Sequence, residues 1–298
     1  MFRQCPGDTL VATAAVGALA RQHPGRFRVD VQGAGSEAIF EDNPHVSLGS
    51  GGREIVMDNP LIHECDKRPV HFMDSYVHHL ERELGVPLKL DTNRPELYLS
   101  DEEHRWMSQV EELTGDGSPY WVVNAGVKKC YTVKGWGRAN FQEVVNQLRG
   151  EVRFVQVGLA EHGHPPLSDV LDLRGKTDTR QLVRLCHHAQ GGVGPESFLH
   201  HLFAALGKSY LCLLSGFLPR TWIDYPTATV LHRANLLPCY SREKGCCWKA
   251  RTVKLGDGDD KDRNLCSLPV IQGVEAVPKC LDMIRPEEVA GLIRAARA

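Results

Sequence analysis

Apolar and polar positions follow two periods along this chain, and their order predicts alternating strands and helices. Phe2 to Cys5 reads as a strand, Pro6-Gly7-Asp8-Thr9 as a turn, and the apolar-rich run Leu10 to Arg21 as a helix ended by His23-Pro24-Gly25. Arg28 to Gln32 is then a second short strand, and strand, helix, strand is the signature of a parallel α/β unit. Residues 36–70 are irregular and polar, with Val46, Ile55 and Val56 marking short strands. Phe72, Tyr76, Leu80 and Leu84 recur at helical spacing before Gly85, which predicts a helix over 71–84. Ser100-Asp101-Glu102-Glu103 looks like a helix N-terminus, with acids in the first turn of a helix running to Leu113.

Thr114 to Pro119 is rich in turn formers, so a second domain should begin there. Beyond it the alternation is regular. Strands are expected at Tyr120–Asn124, Phe154–Gly158, Val170–Leu173, Ala189–Val193 and Ser209–Leu214, and helices at Asn140–Leu148, Thr179–His187 and Ser197–Leu206. The expected fold class is therefore α/β, with two facing, doubly wound, Rossmann-like domains over residues 1–116 and 117–298 and a ligand cleft between them.

Composition narrows the function. A chain of 298 residues that is 42% hydrophobic and 24% charged is an ordinary globular protein, large enough for two domains. Its 35 Lys and Arg against 37 Asp and Glu give no positive field for nucleic acid or an anionic membrane. With neither a long apolar run nor a leader-like start, no membrane span is expected and the location is expected to be cytoplasmic.

Ten cysteines are unevenly spread. Cys5, Cys65, Cys130, Cys186 and Cys212 are isolated and expected to pack as small apolar residues, whereas Cys239, Cys246, Cys247, Cys266 and Cys280 crowd the last quarter. Clustered thiols in a reducing compartment point to metal, and four of these five would close a tetrahedral structural site for iron or zinc. Packing without metal is the alternative. Gly256 to Asp262 is acidic enough to suggest magnesium, with a solvated loop as its plainer reading.

Several segments stand in an order that resembles the heptosyltransferase family of GT-B glycosyltransferases: Pro6-Gly7-Asp8-Thr9-Leu10, Tyr131-Thr132-Val133-Lys134-Gly135-Trp136, Asp172-Leu173-Arg174-Gly175-Lys176-Thr177, and Gly194-Pro195-Glu196-Ser197 leading to His201-Leu202-Phe203-Ala204-Ala205. The likeness is dense after Pro119 and thin over 33–112. It implies a nucleotide-diphosphate sugar as donor, held by the C-terminal domain, and inverting transfer to an acceptor held by the N-terminal domain. Asp8 would be the general base, with Gly7 and Thr9 beside it on the acceptor side. Its bare chemistry also allows a helix cap. Lys134, with Trp136, would meet the donor diphosphate, where a fixed ammonium offsets leaving-group charge. Gly175, Lys176 and Thr177 would lie near base or ribose. Gly194, Pro195, Glu196, Ser197 and His201 would form the turn and helix start that meet phosphate or sugar hydroxyls. Glu196 stands where the family usually carries aspartate, which leaves the donor sugar open. The resemblance extends to members with an iron-holding cysteine knuckle, implying Cys239, Cys247, Cys266 and Cys280 as ligands within residues 236–282. The acceptor is open as well: a glycan, a protein or a hydroxylated nucleobase. So is a reading from another class, an inactive transferase fold serving as a metal-knuckle binding module.

Overall fold

The computed structural model describes residues 6–33, 37–49, 52–57, 70–160 and 162–297, so the strand expected over 2–5 lies outside the described residues. The first helix, α1 (Pro6–Gln22), takes in the whole Pro6–Thr9 segment expected as a turn. Proline suits the first helical position because its missing N–H would have no intrahelical partner there. Nearly every residue from Gly7 to Leu19 is buried, so α1 is a central helix packed on several sides. β1 (Asp30–Val31) pairs in parallel with β2 (Ser47–Leu48), and α2 (Glu37–Phe40) lies between them in sequence.

The helix expected over 71–84 is α3 (Phe72–Leu84). His71 accepts the Met73 N–H and Asp74 accepts the His71 N–H, a reciprocal cap, while Gly85 ends the helix with φ +63°. The helix expected from Ser100 to Leu113 is instead two pieces. A single 3₁₀ turn covers Glu103–Arg105, and α4 (Gln109–Thr114) starts afresh behind its own cap, Ser108.

The second half holds a six-stranded parallel sheet: β3 (Tyr120–Val123), β4 (Arg153–Gln156), β5 (Leu171–Asp172), β6 (Gly191–Pro195), β7 (Ser209–Leu214) and β8 (Ala228–His232). The spatial order is β5-β4-β3-β6-β7-β8. The chain moves outward from β3 in one direction, returns, and moves outward from β6 in the other. Neighbouring connections therefore diverge at the carboxyl ends of β3 and β6, the place where such sheets bind ligands.

Strand alternation sends successive side chains to opposite faces. Tyr120 and Val122 join a core formed by α1, α3, α6 (Thr179–His188) and α7 (Phe198–Ala205). Trp121 and Val123 join a second core with α5 (Arg138–Gln147), α8 (Lys279–Asp282) and α9 (Pro286–Ala295). The first core crosses the expected boundary at 116/117, because α1 packs on both α3 and α7. An antiparallel hairpin of β9 (Pro269–Gln272) and β10 (Glu275–Pro278) precedes α8.

Candidate functional site

The glycines of β6 have a packing reason. A Cβ on Gly192 would lie 2.7 Å from the Phe203 ring, and one on Gly194 2.8 Å from the Asn124 carbonyl and from the Tyr210 hydroxyl. Sequence reading ends the strand at Val193 and begins the turn at Gly194; the structure carries the strand on through Gly194 and Pro195, with the turn made by Glu196 and Ser197. The bare strand lets α7 sit close on the sheet. That brings Glu196, the first residue after β6, to the carboxyl edge at the switch point.

Glu196 carries a hydrogen-bonded chain. Its Oε2 accepts from Lys134 Nζ, and its Oε1 lies 3.2 Å from His201 Nε2, whose ring turns Nδ1 to the Tyr225 hydroxyl at 2.8 Å. An ionised carboxylate only accepts, so Nε2 donates to Glu196. Burial opposes ionisation of Glu196, yet the Lys134 ammonium and the His201 ring outweigh it and hold the carboxyl well below the usual range. Burial pushes the Tyr225 hydroxyl far up, keeping it protonated. The Lys134 ammonium stands 5.5 Å from the centre of the Tyr131 ring and 5.4 Å from that of Phe217, within cation–π reach of both. Lys134, Glu196, Ser215 and Phe217 line one small pocket.

The first turn of α1 reaches the same place. A Cβ on Gly7 would touch His201 and the Phe198 backbone, both at 3.5 Å, so the turn holding Gly7, half-buried Asp8 and buried Thr9 lies against the start of α7. Asp8 is the third residue of the helix, where a carboxylate also meets the positive end of the helix dipole. Ser197, the residue before α7, makes no side-chain cap to its helix; Asn124, at the end of β3, points its amide nitrogen at the Ser197 hydroxyl at 3.4 Å.

The remaining expected donor residues stand elsewhere. Trp136 is 1% exposed, donates its indole N–H to the Ile284 carbonyl and packs edge-on to Phe141, which makes it a core residue with no face toward the pocket. Gly175 (φ +67°), Lys176 and Thr177 follow edge strand β5, with β4 and β3 between them and β6. Lys176 turns its ammonium back onto the Asp172 carbonyl at 2.8 Å. Sequence reasoning missed Asn124, Phe217 and Tyr225. A polar residue ending a buried strand could have revealed Asn124, but nothing local distinguishes the other two.

Cys239, Cys247, Cys266 and Cys280 line a single pocket, and Cys246 is absent from its lining. The backbone N–H groups of Lys249, Leu268 and Gly216 face the sulfurs of Cys247, Cys266 and Cys280. A Cβ on Gly216 would lie 3.2 Å from the Cys247 sulfur. Burial pushes these three thiols up, Cys280 to about 12, so they are protonated as they stand. Among the described residues no group of three or more His, Cys, Asp or Glu stands at metal-binding geometry. The acidic loop expected to suit magnesium or solvent instead surrounds Arg251, whose fully shielded guanidinium meets Asp257 at 2.9 Å, Asp259 at 3.4 Å and also Asp262.

A doubly wound parallel sheet with a cationic and carboxylate pair at its switch point defines a class of α/β fold whose members bind ligands at the carboxyl edge. Solved structures give this class a particular form. Over 99% of its length the chain has the fold of the ADP-heptose lipopolysaccharide heptosyltransferase II of E. coli, with TM-score 0.63, 14% identity and 97% of that chain covered. The glycosyl transferase family 9 protein of Veillonella parvula gives TM-score 0.66 at 14% identity over 99% of this chain and 95% of that one. The iron-containing dodecameric glycosyltransferase TibC from enterotoxigenic E. coli gives 0.62 at 16%, over 99% and 74%. No family model matches the sequence, and no curated protein is similar to it. Among the described residues no helix is long and apolar enough to cross a membrane.

Proposed function

We infer that this protein is a glycosyltransferase that moves a sugar from a nucleotide-diphosphate donor to an acceptor hydroxyl with inversion. One observation carries the reading: Lys134, Glu196 and His201 converge at the sheet's switch point, and the Gly7–Asp8 turn abuts them. The Asp8 carboxylate takes the proton of the acceptor hydroxyl as its oxygen forms the bond to the anomeric carbon. The bond from that carbon to the donor phosphate breaks, and its electron pair leaves with the diphosphate, whose charge Lys134 offsets. Glu196 and Ser197 meet the sugar, and residues 1–116 supply the acceptor side. The E. coli and V. parvula neighbours and their whole-chain likeness support this reading.

We propose that Cys239, Cys247, Cys266 and Cys280 close around a structural iron or zinc ion when one is supplied. The four residues line one pocket, amide N–H groups face three of the thiols, and Gly216 leaves room a Cβ would fill. When bound, the ion would tie together the chain around Cys239, Cys247, Cys266 and Cys280, with no open position for substrate. The testing experiment is donor hydrolysis and transfer across ADP-, GDP- and UDP-sugars, with Asp8→Asn beside wild type. Activity in wild type that vanishes in Asp8→Asn supports the assignment. Equal activity in the two removes Asp8, and no activity or binding with any donor removes the transferase reading.

A further inference from the structure

Lys134 sits on a segment that does not hold its own shape. Residues Lys129–Lys134 form 3₁₀ turns interrupted at Tyr131, whose φ of −131° and ψ of 48° are not helical, and no side chain caps the start. Such short turns are weak without outside partners. The partners come from Ala250, Arg251 and Thr252, all buried. The Val133 N–H donates to the Ala250 carbonyl at 3.2 Å. The Thr252 N–H and hydroxyl donate to Thr132 Oγ1 at 3.0 and 3.2 Å. Arg251 between them is pinned by the three loop aspartates, which also order the loop backbone: Asp262 accepts the Leu255 and Gly256 N–H groups, Asp257 the Asp259 N–H and Asp259 the Lys261 N–H. The same loop returns Lys261 to the Tyr131 ring, 5.6 Å from its centre.

We propose that Thr132 is a positioning residue for Lys134: its hydroxyl is the acceptor by which the Arg251-braced strap, residues 250–262, fixes the Lys134 turn against Glu196. The proposal rests on the donor role given to Lys134 above. Valine at 132 fills nearly the same space but leaves the Thr252 N–H and hydroxyl without an acceptor, whereas serine keeps the oxygen.

The test uses the full-length protein as wild type, Thr132→Val and Thr132→Ser, each checked by its melting curve. The first readout needs no donor: the rate at which formaldehyde and borane methylate Lys134, followed by mass spectrometry. Thr132→Val should speed modification about five- to 100-fold, the range of two lost hydrogen bonds, and Thr132→Ser should restore the wild-type rate. The second is ADP affinity, which should weaken by a similar factor in Thr132→Val and show no further loss when that change is added to Lys134→Ala. A wild-type methylation rate in Thr132→Val overturns the proposal, as does a raised rate that serine leaves uncorrected. A full additional loss of ADP affinity in the double variant overturns it too. If wild type binds no nucleoside diphosphate while the methylation pattern appears as expected, the brace stands and the donor reading falls.

Discussion

Glu196 shows how surroundings set the work of a single residue. Its carboxylate is shared between Lys134 and His201, so the cation that is to meet a diphosphate is neutralised until a ligand arrives. Glu196→Gln removes that competition. It should bind bare ADP at least as tightly as wild type while turnover with a nucleotide sugar drops about tenfold or more, since the charged contact to the sugar is lost. Isothermal titration beside a transfer assay reads both, and weaker ADP binding contradicts the shared-charge account. Asp8→Ala should behave in the opposite sense, keeping donor affinity and losing about 100-fold or more of turnover. Lys134→Ala should lose both. Motif order in the sequence singled out Asp8, Lys134 and Glu196 as candidates, and the structure pairs Lys134 with Glu196; Tyr225 had no such signal, because its contact with His201 exists only where the segment after β7 folds back onto α7. Trp136 misled for a related reason: a motif gives the chain position of a side chain but not the face it turns to.

At the level of elements, the strands and helices between Tyr120 and Leu214 followed their hydrophobic pattern closely, because a sheet buried on both faces selects continuous apolar runs, whereas β8, the β9–β10 hairpin, α8 and α9 were not anticipated. The helix expected over 100–113 failed where Ser108 supplied a second cap, offering the chain a fresh start. The glycines of β6 have a packing reason that the sequence did not disclose. Gly192→Ala should therefore cost about 1–3 kcal/mol, since its methyl would meet the Phe203 and Tyr210 rings. Urea denaturation checks this, and an unchanged midpoint would show that α7 yields. The cysteine segment makes its own prediction. Purified protein should hold about one equivalent of iron or zinc. Cys266→Ser should lower metal content and melting temperature together, while Cys246→Ser keeps the metal. Because the thiols are pushed up by burial, metal uptake must release protons and should weaken as the pH falls, which titration at two pH values can follow.

For the molecule as a whole, acid sensitivity should come from buried imidazoles. Burial lowers His71 to about 3 and His200 and His232 to about 4, from an ordinary value of 6.5. Between pH 6.5 and about 4 the unfolded chain binds more protons at these groups than the native one. Stability should thus fall as pH falls through that window, by up to about 1.4 kcal/mol per pH unit for each. Denaturant midpoints measured across the window check the slope, and His232→Gln should flatten part of it. The burial of α1 bears on the life of the chain before it is native. That helix is synthesised before its packing partner α7: it ends at Gln22, and α7 begins only at Phe198. At about 5–20 residues per second, roughly 9 to 35 s separate their synthesis. Through that interval an apolar helix has no α7 to cover it, so nascent chains truncated before Phe198 should engage a chaperone, and those that include α7 should release it.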